Sequence, residues 1–110
     1  MENILTSIKK MLGIDESYHH FDKELLVFIN SVFGILFQLG VGSKSSQFIC
    51  DETSTWDEFI RNEEIETVKS YMFMKVKLLF DPPSSSFVLS SYERLISEFE
   101  WRCNVDSETP

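Results

Sequence analysis

Apolar residues return along the first dozen positions at the spacing of one helix face. Ile4, Leu5, Ile8, Met11 and Leu12 stack above one another at 3.6 residues per turn. Glu2 and the pair Lys9 and Lys10 sit where the helix dipole favours acid and base. Gly13 occupies the place of a left-handed C-cap, so a helix is expected over residues 2–12.

The next apolar run begins after Asp22, a residue suited to capping a helix. Leu25, Leu26, Ile29, Val32, Phe33, Leu36 and Phe37 form one broad stripe, and Gly40 and Gly42 end it. A second helix is therefore expected over residues 22–39. Val27, Phe28, Ile35 and Leu39 fall outside the stripe. A helix that is apolar on most sides is surrounded by protein, which makes this the expected central helix. Residues 41–54 read as a loop of Gly and Ser chemistry, with Phe48 and Ile49 suited to a brief extended piece. Loops of this length are more often functional than idle.

Thr55, Trp56, Asp57 and Glu58 have the form of a capping box, so a short helix is expected over residues 56–61. After a break at 62–64, the residues Ile65, Val68, Met72, Val76 and Leu79 stripe a further helix over residues 64–80. Tyr71, Met72, Phe73 and Met74 are consecutive, and at ~100° per residue they cannot share one side. Two sides of this helix are therefore expected to be covered. Asp81, Pro82 and Pro83 end it, because proline has no N–H and crowds the preceding turn. The serines at 84–86 supply the cap for a last helix over residues 87–103. Its expected inward face is Val88, Tyr92, Leu95, Ile96, Phe99 and Cys103.

No segment alternates as a strand does. The pattern predicts an all-α fold: a small bundle of four to five helices with one longer loop (about 41–54) and a flexible C-terminal tail. The length fits one domain, with the helical unit over residues 1–103 and a tail over residues 104–110 that is disordered or ordered by a partner.

The net charge of −8 disfavours ordinary binding to a phosphate backbone, which needs clustered Lys and Arg. It suits an acidic wall that nucleic acid slides past, and it equally suits plain solubility. Cys50 and Cys103 are far apart and form no CxxC pair, so free thiols in a reducing compartment are expected. No secretory leader is legible, and the apolar stretch at 25–39 is too short to span a bilayer. A soluble protein made in the cytoplasm is expected.

Candidate chemistry is sparse. His19 and His20 are adjacent and point apart, with no cysteine at ligand spacing. Asp51, Glu52, Asp57 and Glu58 lack the spacing of a calcium loop. The serine runs at 43–46 and 84–86 lack the GxSxG elbow, and there is no GxGxxG or P-loop. Neither an enzyme, nor a cofactor, nor a metal site is expected. Trp101 lies outside the inward stripe near the chain end, and Trp is favoured where partners meet.

The blocks IKKMLGI, FINSVFGILFQLGVG, TWDEFI, VKSYMFMKVKLLFDPPSSSFV and ISEFEWR run in order across residues 8–102. In these blocks the chain resembles the phage head–tail connector (head-completion adaptor) family. The resemblance implies a structural virion protein at the neck: a ring, commonly of twelve subunits, seated under the portal after genome packaging. Such a ring lengthens the DNA channel, lets the genome pass without specific binding, and offers a docking surface to a tail-side stopper or completion protein. Carried onto this chain, the inter-subunit surface is expected at Phe28, Tyr71, Phe73 and Trp101. The portal contact is expected at Phe99, Trp101, Arg102, Cys103, Asn104 and Val105. No membrane partner is implied.

Two other readings compete. A small acidic inhibitor that mimics DNA and blocks a host nuclease would share the size and charge, but here the acids are interspersed with lysines. A metal-dependent enzyme built on His19, His20 and the acidic loop is the more remote one.

Overall fold

Asn3 starts the first helix. Its side-chain oxygen accepts the Thr6 N–H at 2.9 Å, which satisfies one of the orphan donors of a helix start. Helix α1 then runs Ile4–Leu12 and closes on Gly13 in the left-handed conformation, φ 81°. The structure is a computed structural model describing residues 2–42 and 49–108, without the side chains of 106–108.

Helix α2 spans Asp22–Gln38. Asp22 is its first residue rather than its cap, and Phe21 before it makes no side-chain cap bond. The Asp22 carboxylate instead lies 2.9 Å from the Lys9 ammonium. Lys9 Nζ also donates to the carbonyls of Glu16 at 3.1 Å and Tyr18 at 2.6 Å. Lys9 is only 2% exposed, so it is not the surface partner of the helix dipole that its position suggested. The link between α1 and α2 is wound around this one ammonium. Oxygen ligands on several sides offset the cost of taking its charge out of water.

The described part of the 41–54 stretch is fastened at both ends. Gly42 has φ 105°, and a Cβ there would meet Phe37 Cε1 at 2.6 Å. On the far side, Asn30 grips Cys50: its Nδ2 donates to the Cys50 carbonyl at 3.0 Å and its Oδ1 accepts the Cys50 N–H at 2.8 Å. Phe48, half of the expected extended pair, lies outside the described residues, as does the rest of 43–48. The chain next crosses the start of α1. Ile4 N–H donates to the Ser54 carbonyl at 3.0 Å, and Asn3 and Thr55 form an isolated antiparallel bridge.

The expected capping box is present at Thr55, but it opens a 3₁₀ turn, Trp56–Glu58, rather than a helix over 56–61. A second 3₁₀ turn, Asn62–Glu64, leads into helix α3, Ile65–Phe80. Trp56 is buried, and its Nε1 donates to Ser7 Oγ at 2.8 Å, which keeps an otherwise costly buried donor paired. Phe59 stacks on Phe33 with centroids 4.9 Å apart. The tertiary role of this segment is to floor the bundle beneath α1 and α2.

Helix α3 touches α1, α2 and α4, so it is the hub in place of α2. The core gathers Ile4 and Ile8, Leu25, Ile29 and Leu36, Trp56, and Val68, Met72 and Val76. Val27 on α2 and Leu79 on α3 stand exposed, and Leu78 packs against the core where Leu79 was expected. Helix α4 spans Ser86–Glu108, continuing past the expected stop at Cys103 through most of the expected tail. Residues 109–110 lie outside the described residues. The fold is all-α, with no strand among the described residues.

Candidate assembly surface

Helix α4 is held to the bundle by a short set of contacts with α3. Phe99 stacks on Tyr71 with centroids 4.4 Å apart, and the Tyr71 hydroxyl donates to Glu100 Oε2 at 2.6 Å. Lys75 Nζ lies 3.8 Å from the same carboxylate. Tyr92 meets Phe73 edge-on at 6.1 Å. Burial, reinforced by the Glu100 carboxylate, pushes the Tyr71 phenol well above its ordinary range. Among the described residues, Ile96 alone of α4 joins the buried apolar core.

These contacts decide where the expected surface residues stand. Tyr71 is 1% exposed, buried inside its own chain by Phe99, and is not a residue lacking a home in the monomer. Phe28 and Phe73 are half-buried and packed against the core. Trp101 is 65% exposed. Near the chain end, Phe99 is half-buried, Arg102 is exposed and paired with Glu98, Cys103 is half-buried, and Asn104 and Val105 are exposed.

Val88 and Leu95, expected on the inward face, are both exposed. Phe87, outside that expected face, is 79% exposed at the start of α4. The signal for Phe87 was present in the spacing. At ~100° per residue, Phe87 and Trp101 fall in one row on the side of the helix away from Ile96.

A groove of about 610 Å³ lies between the end of α2, the start of α3 and the second half of α4. Tyr71, Met74, Leu95 and Phe99 are among its apolar lining residues, and Arg61, Glu63 and Glu98 are among its charged ones. Phe99, Arg102 and Cys103 line this groove, whereas Trp101 does not. The structure therefore divides the expected contact residues between two sides of one helix.

The candidate chemical groups serve the local fold. His19 Nδ1 lies 2.7 Å from Asp22 Oδ2, and His20 packs edge-on against Phe21 at 4.8 Å. Asp51 Oδ1 accepts from the Thr53 N–H at 2.8 Å and the Thr53 hydroxyl at 2.7 Å, which builds a turn and holds that carboxyl below its usual range. Glu58 accepts the Thr55 N–H at 2.6 Å as the capping box requires. Cys50 is buried, and burial pushes its thiol up to about 11. Among the described residues, no group of three His, Cys, Asp or Glu side chains is placed to hold a metal ion. No helix among them is long and apolar enough to cross a membrane.

Compared with known families, residues 4–110 match a family model described as phage connector protein. No curated protein matches the chain. No solved structure matches it either.

Proposed function

The chain belongs to the phage connector protein family, and from that premise we propose that it is a non-enzymatic subunit of the ring that joins a phage head to its tail. The copies close under the portal, extend the DNA channel and present a docking surface to the next tail-side protein. The observation that carries the assembly role is the outer side of α4. Phe87 and Trp101 are large apolar residues left in water by a helix that, among the described residues, gives the core one buried apolar side chain, Ile96. Side chains of this kind are the anchors around which interfaces form.

The charge fits the same reading. A subunit of net charge −8 repels the genome electrostatically, so a channel built from such subunits lets DNA slide. A DNA-mimic inhibitor needs an unbroken row of carboxylates. Here Glu2 is paired with Lys69, Glu100 with Lys75, Asp81 with Lys77 and Glu98 with Arg102, which breaks the negative face repeatedly. The test is to incubate the purified chain with cognate portal particles and measure the bound mass. Recruitment of several copies per portal is expected. A portal that never captures the chain overturns the reading.

A further inference from the structure

We propose that the groove between α3 and α4 receives the outer row of α4 from a second copy of this chain, so that copies join head to tail. The proposal rests on the ring reading above and names the contact that would build the ring. The row is Phe87, Arg94 and Trp101, spaced seven residues apart, which places them along one line of the helix. All three are exposed.

Two observations identify a second copy as the occupant. The first is geometric. Leu95, Phe99, Arg102 and Cys103 of α4 line the groove, Glu98 stands at its edge beside the row, and the row lies on the other side of Glu98 on the same rigid helix. A chain cannot place its own row in its own groove, yet every chain offers both. Two different patches on one subunit are what a cyclic, head-to-tail assembly requires.

The second is charge. Arg94, in the middle of the row, has no ion-pair partner among the described residues. Glu63, at the groove, forms no salt bridge among them either, because its neighbour Arg61 is held by Glu64. Apolar anchors with one complementary charge on each side give a contact both attraction and register. On a chain this acidic, an unpaired arginine set between two exposed aromatics is a specific counterweight to repulsion between copies.

The test uses Trp101→Glu to spoil the row and Ser70→Arg to fill the groove. Both positions are exposed, and helical circular dichroism is the check that each variant folds. Sedimentation velocity is run over a wide concentration range and the mass bound to portal particles is measured alongside. Each variant alone is expected to lose at least about tenfold in self-association, the scale of one interface anchor. Mixed together they are expected to form a one-to-one pair and nothing larger, since one intact row and one intact groove remain. Arg94→Glu and Glu63→Arg each weaken assembly, and the double reversal restores it. A wild-type chain that assembles neither in solution nor on the portal overturns the ring reading and this contact together. Assembly that is normal in both W101E and S70R overturns this contact alone. Loss of portal capture with unchanged self-association assigns the row to the portal and also overturns it.

Discussion

The ammonium of Lys9 lies 2.9 Å from the carboxylate of Asp22, inside the joint between α1 and α2. Lys9 is buried, whereas Asp22 is partly exposed and also bonded by His19. Removing the ammonium therefore leaves the carboxylate only partly compensated and two carbonyls without their donor, at a cost of about 2 kcal/mol. Lys9→Ala is therefore expected to lower the urea unfolding free energy by about that much. Lys9→Met combined with Asp22→Leu recovers part of the loss, because neither charge then remains. A single Lys9→Ala within about 0.5 kcal/mol of wild type would show that the joint does not depend on this pair.

The same pair sets a pH dependence. Burial disfavours the Asp22 carboxylate, but the hydrogen bonds from Lys9 and His19 outweigh it, so its folded pKa lies below the ordinary 3.8. A depressed acid stabilises the fold above its unfolded pKa, and that contribution is lost as pH falls through the folded value. The stability gap between wild type and Asp22→Asn should thus be widest near neutrality and should close below the ordinary carboxylate range. Urea titrations at a series of pH values measure it, and a gap that widens on acidification contradicts the assignment.

Asn30 replaces a missing strand partner for Cys50, bonding both its N–H and its carbonyl. Asn30→Ala leaves two backbone groups unpaired and should cost about 2 kcal/mol. The Cys50 thiol reports the loss. Burial holds it at about 11, so it is protonated and shielded at neutral pH and should label far more slowly than Cys103. In N30A its alkylation, followed by mass spectrometry, should accelerate severalfold. Equal labelling rates in wild type and variant would dissociate the clamp from the burial of Cys50.

Much of this fold was legible because its signals are local. Gly13, the Thr55 box and Pro82-Pro83 act through the backbone of their own neighbours, so helix ends could be read from short windows. Lys9 was not legible. Periodicity treats a lysine as surface, and only the carbonyls of Glu16 and Tyr18, brought back by the chain reversal, make its burial favourable. Tyr71 was misplaced for the same reason: the ring that covers it, Phe99, is distant in sequence. The outward row of α4 was half legible. Trp101 stood out as a tryptophan outside the inward stripe, whereas Phe87 was only the first residue of the expected helix.

Gly13 and Gly42, two of the three described glycines with positive φ, separate strain from crowding. At Gly13 a Cβ meets nothing within 4 Å, so Gly13→Ala pays only the left-handed backbone penalty of about 1 kcal/mol. At Gly42 the Cβ would also press on Phe37 Cε1 at 2.6 Å and the Phe59 carbonyl at 3.2 Å. Overpacking adds to strain there, so Gly42→Ala should cost about 2 kcal/mol or more. Thermal melts of the two variants should rank them in that order, and the reverse order would mean that the Phe37 ring yields freely.

A chain ended after Trp101 tests whether the last turns of α4 serve the fold or its partners. Among the described residues, every buried apolar side chain lies before that point, the last being Ile96. The Glu100 acceptor of the Tyr71 hydroxyl is retained as well. What is lost is Arg102 and Cys103 from the groove and the exposed Asn104 and Val105. Loss of surface contacts alone should lower stability by less than about 1 kcal/mol, a drop in Tm of under about 8 °C. If these residues meet the portal, capture of the truncated chain on immobilised portal particles should fall at least about tenfold, the weight of a single well-placed contact. Unchanged capture moves the portal contact elsewhere on the molecule. A large fall in Tm would instead mean that the last turns of α4 clamp Tyr71 and Phe99 in place, giving this end of the helix a structural role.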